Sequence, residues 1–562
     1  MIERIKGKAD YIASVCLSVI LFYAMYGFKV LNPLYIDWIL AGGDPTQHYL
    51  GWALYRYAPF RIRIGLLNTA AYPYDTSIIF TDSIPLFAIP CKFIGIFTDR
   101  QFQYFGIWGL ACLVVMGICT TFLFKKFTED KVAVVISSFL VTASPCLLRR
   151  IFWHSSLAAH FLIIIGLILV AYRKELCDTA ARSGAKWAVL ALLCTFTHPY
   201  FLAMDGIILL GYMIFLIIDG AKGHSVGKNH VLRIVIAPAA YCLSAVVSMW
   251  ILGCFSSGMS KGAPGLGYYS FNLNGFFDPD GWSAFIKPLA RYEEGQYEGF
   301  AYLGLGILCL ILITIVTAVV SYLKATDKRT VSDRMKKIMP YILCILFVVL
   351  INILVSASNE VTFGDKLLFR FEVPEFISRY WDIFRASGRL IWPAVYIISI
   401  AFIIILYKVS DRRFLTVVLV ICAILQITDM NKVIIKKHSE FDRITVYSDR
   451  FEDDRMMRLM SSGKIRHIVF LDKDNLKQDE LYAFTELATR FGLTVNDFYF
   501  ARYFERPVEE TAYRDILFAD DDVMYVLSGR EDESDEHKDL ANMFDIYYYR
   551  YGDVLIGFKD PV

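Results

Sequence analysis

Apolar residues in this chain come in long runs separated by short polar turns. The runs have the length of a bilayer crossing, about 17–25 residues for a hydrocarbon core of about 30 Å. The pattern predicts about eleven transmembrane spans, at 11–31, 104–124, 131–147, 155–172, 185–197, 201–219, 231–253, 300–323, 338–357, 389–407 and 413–429. One further apolar stretch, 84–97, is short and broken by Pro85 and Pro90, and is expected to lie as an interfacial or re-entrant helix. After about residue 430 the pattern changes to charged, alternating segments. His467–Leu471, Asp497–Tyr503 and Val523–Leu527 read as strands, Gln478–Phe491 as a helix and Ile546–Phe558 as a hairpin. The expected architecture is an α-helical polytopic membrane domain over 1–429 and a soluble α/β domain over 430–562.

Charge orients the spans. With 84–97 not crossing, Lys and Arg gather in alternate short loops: Lys125, Lys126 and Lys131; Arg173, Lys174, Arg182 and Lys186; Lys222, Lys228 and Arg233; Lys324 to Lys337; Lys408, Arg412 and Arg413. All fall on the side of the basic N-terminus, which the positive-inside rule assigns to the cytoplasm. The N-terminus has no small-residue cleavage site after its apolar run and reads as an uncleaved first helix. The long loops 32–103, 254–299 and 358–388, the short turns 148–154 and near 198–200, and the C-terminal domain then face outward, and the candidate chemistry lies in or beside these outer segments.

Composition sharpens this in three ways. Hydrophobic residues make up 56% of the 562, above the roughly 45–50% of soluble domains. The net charge of +2, without a basic patch interleaved with aromatics, argues against a nucleic-acid partner. The twelve cysteines sit mostly inside apolar spans and none forms a CxxC pair, so they read as packing residues. No residue is assigned to a metal and no cofactor is certain, with a divalent cation left open.

The first candidate is Gly43-Asp44-Pro45-Thr46-Gln47-His48, just beyond the first span. Asp44 and His48 are four apart, so a helix beginning near Pro45 brings them near one face. Asp44 suits either a catalytic or ligand role or an N-cap. In Phe80-Thr81-Asp82-Ser83-Ile84-Pro85, Thr81 or Asp82 is expected to cap the 84–97 helix, and Asp82 is a second outer acid. Arg149-Arg150-Ile151-Phe152-Trp153-His154 places two arginines in a short outward turn, against the charge rule. They need a partner, either a phosphate or an outer acid such as Asp44 or Glu298. His198 ends another outer helix. Glu298 and Tyr302, four apart at the start of a span, follow a loop rich in Gly, Tyr and Asn that suits sugar stacking. Arg385 and Arg389, also four apart, could clamp one anionic group, or Arg389 could simply snorkel.

The topology of 1–429, with Gly43-Asp44 soon after the first helix and the 84–97 segment in the same loop, resembles the GT-C class of integral-membrane glycosyltransferases. In place of the acidic pair common there, this chain has Gly43 before Asp44 and Pro45 after it. The stretches Gly-Asp-Pro-Thr-Gln-His, Phe-Thr-Asp-Ser-Ile-Pro and Phe-Arg-Ala-Ser-Gly-Arg also resemble an uncharacterised family of bacterial multi-pass proteins. The resemblance implies transfer of a sugar from a polyprenyl-phosphate-linked donor to an envelope glycan, lipid or protein acceptor, at the outer face of a plasma membrane. In that reading Asp44 is the general base. Arg149, Arg150, Arg385 and Arg389 hold the lipid phosphate, and His48, Asp82, His154, His198, Glu298 and Tyr302 position substrate. The competing readings are a transporter or flippase of a lipid-linked or anionic solute, for which Asp205 is the chief candidate inside a span, and a non-catalytic envelope assembly protein.

Overall fold

The computed structural model describes residues 8–223, 228–255, 265–375, 378, 384–443, 450–451, 453–471, 473–500, 517–518, 520–529 and 545–559. Among these, seven helices are long and apolar enough to cross a membrane: Ala9–Tyr26, Phe105–Phe124, Tyr200–Ala221, Asn229–Ile251, Leu305–Lys324, Lys328–Ala357 and Ser387–Val409. An eighth forms if Arg412–Asp429 and Asn431–Asp442, bent by 52° at their junction, count as one span. The expected eleven are not reached because three segments fall short. The run 131–147 stops at Thr142, since Pro145 opens a separate short helix, Pro145–Arg150. The run 155–172 begins as a 3₁₀ turn, Ser155–Ala158, and becomes α-helical only over Phe161–Ala171. The run 185–197 belongs to a longer helix, Ala180–Thr197, whose first turns carry Arg182, Ser183 and Lys186.

Helix starts follow local chemistry. Asp130, Thr179, Asp327 and Asp411 each accept a backbone N–H of the turn they open, satisfying donors that a helix leaves unpaired. The same basic turns that drew the topology prediction therefore carry the caps. Two expected caps are not found. The helix in the first loop spans Gly43–Tyr57 with Gly42 at its N-cap, which puts Asp44 inside the first turn. The 84–97 segment forms Pro85–Gly95 with Ile84, not Thr81 or Asp82, at its N-cap position. Thr81 instead bonds back to the Ile78 carbonyl, and Asp82 adopts a left-handed backbone.

The chain divides into two compact units. The first comprises 1–31, 105–246 and 262–443 and is helical. Its helices Ala9–Tyr26 and Phe105–Phe124 run antiparallel. Thr121 Oγ1 donates to Ser14 Oγ at 2.7 Å, Lys125 pairs with Asp10 near one end, and Tyr26 donates to the Leu148 carbonyl at the other. Arg173–Asp219 and Arg412–Asp130 tie further helix ends together. A short antiparallel hairpin, β3 (Glu360–Phe363) with β4 (Lys366–Arg370), follows Lys328–Ala357.

The second unit comprises 32–104, 247–261 and 444–562, so the first loop and the tail fold together. In it, β1 (Leu66–Leu67) pairs with β2 (Thr76–Ser77). A five-stranded sheet has the order β6-β5-β7-β9-β8, with β5 His467–Phe470, β6 Thr494–Val495, β7 Val523–Ser528, β8 Tyr547–Tyr551 and β9 Val554–Phe558. β5 is parallel to β6 and β7, and β9 is antiparallel to β7 and β8. The hairpin and the strands near 467 and 523 lie where the alternation placed them. The strand expected at Asp497–Tyr503 lies earlier, at Thr494–Val495, where Thr494 and Asn496 donate to the Arg466 and Ile468 carbonyls beside β5 and Val495 exchanges backbone bonds with Thr69 and Tyr72 of the first loop. Residues 501–503 fall outside the described residues. β7 is buried along its whole length, and Val469, Tyr525 and Leu527 pack with Leu517 and Ile546 into its core, with Tyr72 and Tyr74 against it.

Candidate functional site

In the helical unit Arg150, Arg389 and His154 gather at one carboxylate, Glu298. Glu298 ends the turn Glu294–Gly299, and its side chain is 5% exposed. Arg150 donates from Nη2 to Oε2 at 2.8 Å. Arg389 donates from Nε at 2.9 Å and from Nη2 at 2.7 Å, a two-pronged pairing. Arg389 Nη2 also lies 3.4 Å from His154 Nε2 and its guanidinium faces the Tyr200 ring. Burial opposes ionisation of Glu298, but the Arg389 and Arg150 guanidiniums outweigh it and hold the carboxyl well below the usual carboxylate range.

Two glycines permit this approach. A Cβ on Gly388 would stand 2.7 Å from the Gly299 Cα, so the turns carrying Glu298 and Arg389 meet backbone to backbone. The arginines are positioned by a break in the apolar pattern: Arg149 and Arg150 end the Pro145–Arg150 helix and are buried. Arg149 pairs with Asp280, which shares Arg291 with Asp278. Its guanidinium lies between the Trp153 and Phe300 rings, 4.7 and 4.5 Å from their centres.

Two expected pairings are not formed. Arg385 and Arg389 do not share one helix face, because the 3₁₀ turn Ser387–Ile391 begins after Arg385. Arg385 is exposed and donates to the Tyr269 hydroxyl at 2.9 Å. Tyr302 does not sit one turn above Glu298, since the helix starts only at Leu305. Its hydroxyl donates to Asp429 at 2.7 Å, where the Leu305 N–H also binds. His198 follows Ala180–Thr197 and accepts the Tyr200 N–H at 3.2 Å, beside the ring that faces Arg389. Of the acids weighed as partners for Arg149 and Arg150, Glu298 binds Arg150, and Asp280, which sequence reasoning missed, binds Arg149. The only signal for Asp280 was an acid in an outward loop, Phe277-Asp278-Pro279-Asp280-Gly281.

In the second unit, Asp44 is half-buried in the first turn of Gly43–Tyr57, and His48 one turn on is fully buried. An acid in the first turn complements the helix dipole. The neighbouring backbone holds the helix start: Thr46 Oγ1 donates to the Ile39 carbonyl and accepts the Gly42 N–H. Ser83 Oγ donates to the His48 carbonyl at 2.9 Å, which brings the Asp82 segment against this helix. Gly51 completes the fit, because a Cβ there would lie 2.5 Å from the Thr81 Cβ. Asp82 and Ile84 both have positive φ, 55° and 52°, a conformation costly for non-glycine residues and concentrated at functional sites.

Comparison with known proteins adds one assignment. A family model described as a domain of unknown function, DUF6311, matches residues 15–431. The chain belongs to the DUF6311 family. A second model, the DUF6311 C-terminal domain, matches residues 457–558. No functionally curated protein matches this DUF6311 chain. Among solved structures it is similar to the archaeal oligosaccharyltransferase AglB from Archaeoglobus fulgidus, determined in complex with an inhibitory peptide and a dolichol-phosphate. The identity is 11% and the TM-score 0.46, over 99% of this chain and 75% of that one. The uncharacterised multi-pass family expected from the sequence is thus found, in a mostly helical chain with candidate membrane spans and a sheet-containing C-terminal region.

Proposed function

We propose that this DUF6311 protein is a membrane glycosyltransferase. It moves a sugar from a polyprenyl-phosphate-linked donor to an envelope glycan, lipid or protein acceptor at the outer face of the plasma membrane, its N-terminus cytoplasmic and its C-terminal domain outside. The observation that carries the reading is the gathering of Arg149, Arg150, Arg389 and His154 around Glu298 and Asp280 in a unit built of apolar helices. Burying guanidiniums there is expensive; Glu298 and Asp280 offset part of that cost, and a lipid phosphate is the further anion that a surplus of arginines over acids would take. Arg385, exposed beside Tyr269, offers further donors of the same kind.

In this mechanism Asp44 takes the proton from the acceptor hydroxyl as its oxygen attacks the anomeric carbon. The bond from that carbon to the phosphate oxygen breaks with inversion. Charge grows on the departing phosphate and the arginines stabilise it. His48, Asp82, His198 and Tyr302 position substrates. No metal is required by this scheme, although a divalent cation would serve the same phosphate.

The test is release of polyprenyl phosphate from polyprenyl-phosphate-linked sugars by purified protein in lipid. Asp44→Asn should lower turnover by about 10²–10⁴-fold, while Arg385→Ala should chiefly weaken donor binding. Full activity in Asp44→Asn would overturn the assignment. A transporter is the second reading, favoured by Asp205, which is buried inside Tyr200–Ala221 with, among the described residues, only the Cys194 thiol at 3.3 Å as its hydrogen-bond partner. Solute uptake into liposomes without product would support that reading instead.

A further inference from the structure

At one end of the C-terminal sheet, three side chains that sequence reasoning did not single out face one another. His467 opens β5, which lies between β6 and β7, and is level with Thr494 of β6 and Val523 of β7. Asp522 immediately precedes β7, and its carbonyl accepts the N–H groups of Arg466 and His467 at 2.8 and 3.2 Å, which ties it to the start of β5. Asp520 lies two residues earlier. One ligand atom from each of His467, Asp520 and Asp522 falls within 4.8 Å of the others. We infer that these three residues hold a divalent transition-metal ion of the zinc class, which staples the starts of β5 and β7 to the first loop.

Four features carry this. First, His467 Nδ1 is 2.7 Å from Thr494 Oγ1. A metal-binding imidazole is typically oriented by a hydrogen bond at its other nitrogen. With Nδ1–H donated to Thr494, Nε2 presents its lone pair to the two acids. Second, Nε2 and Asp522 Oδ1 are 3.9 Å apart, too far for a hydrogen bond, so the pair is not closed on itself. Third, the Asp522 side chain is 31% exposed overall, but its Oδ1 is buried and has no hydrogen-bond partner among the described residues. A buried acceptor left unsatisfied costs about 1–3 kcal/mol, more if charged, and a cation removes that cost. The nearest positive group, Arg466 Nε, lies 3.6 Å from the other oxygen. Fourth, Tyr72 of the first loop stacks on the His467 ring at 3.8 Å between centres and donates its hydroxyl to Asp520 at 2.8 Å. The loop thus covers one face of the cluster and orients one of its acids.

The donor set fits the ion. One neutral imidazole and two carboxylates balance a 2+ charge, and nitrogen–oxygen sets of this kind suit Zn²⁺. Ligand atoms each about 2.1 Å from a zinc ion stand about 3.4 Å apart in a tetrahedron. With the ligand atoms within 4.8 Å of one another, no pair has to close by more than about 1.4 Å, within reach of side-chain rotation. A fourth position would be taken by water. The inference does not depend on the transferase reading.

The experiment uses full-length protein in detergent, purified without a histidine tag, stripped with EDTA and titrated with Zn²⁺ alone. Zinc should bind at one equivalent per chain and raise the unfolding temperature. His467→Ala and Asp522→Asn should abolish both effects. Asp520→Asn, at an exposed position where folding is not at risk, should weaken binding about tenfold or more, in line with the loss of one ligand. The variants also separate this site from the twelve cysteines. Zinc binding with unchanged affinity in Asp520→Asn, or no change in unfolding temperature on adding Zn²⁺ to the stripped native protein, would overturn the proposal.

Discussion

Replacing Glu298 with glutamine tests whether Arg150 and Arg389 are held by that one carboxylate. Glu298 accepts three charge-assisted hydrogen bonds, one from Arg150 and two from Arg389, and is almost fully buried. Glutamine keeps one acceptor oxygen, but its amide N–H₂ would face guanidinium donors and the charge is gone. Removing one partner of a buried pair costs about 3–5 kcal/mol, mostly because the other charge is left uncompensated. The retained acceptor argues for the lower end, about 3 kcal/mol. For domains of about 150–250 residues that corresponds to roughly 6–12 °C in Tm, and to somewhat less for a larger unit. The assay is intrinsic tryptophan fluorescence of detergent-solubilised protein, heated at two scan rates to separate equilibrium from kinetic loss. Because the cost resides in the stranded guanidinium, the Glu298→Gln/Arg389→Gln double variant should recover part of it, a non-additive result. A Glu298→Gln protein melting within about 1 °C of native, or strictly additive losses, would refute this account.

Two further outcomes follow from the same network. The Glu298 carboxyl is depressed in the folded protein, so its stabilisation is complete above the ordinary glutamate value of about 4.3 and is lost as pH falls through the lower folded value. Thermal stability measured from pH 7 downward should therefore show an acid limb below about pH 4, and Glu298→Gln should lack that component. Gly388→Ala pushes a methyl against the Gly299 backbone, which cannot give way as a side chain would. It should cost about 1–3 kcal/mol, read as a lower Tm, with the proposed transferase activity falling alongside it.

What was legible in the sequence was whatever leaves a long or periodic trace. The apolar runs located most of the candidate spans, and alternation located β5, β7 and the hairpin. Arg149 and Arg150 stood out because two charges interrupt an apolar stretch. The partners were less visible. Asp280 lies 131 residues from Arg149, and nothing local distinguishes it from other loop acids. Spacing misled where it assumed an unbroken helix. Glu298 and Tyr302, and Arg385 and Arg389, are each four apart but straddle a turn–helix junction or a 3₁₀ start. The His467 cluster was hidden differently: it joins residues that are unremarkable until β5 and β7 lie side by side.

The pairing of the first loop with the tail has a consequence for how the protein is made. Gln47 donates to the Tyr499 carbonyl across a separation of 452 residues, and Gly43–Tyr57 packs on Gln478–Phe491. Chains emerge N-terminus first, so the Asp44 helix is made early and lacks its packing partner until almost the whole polypeptide has been synthesised. The acid is assembled last. A chain clipped before residue 478 would leave the Gly43–Tyr57 helix without the surface it packs on, so under the proposed role of Asp44 the tail would act as a checkpoint on that role.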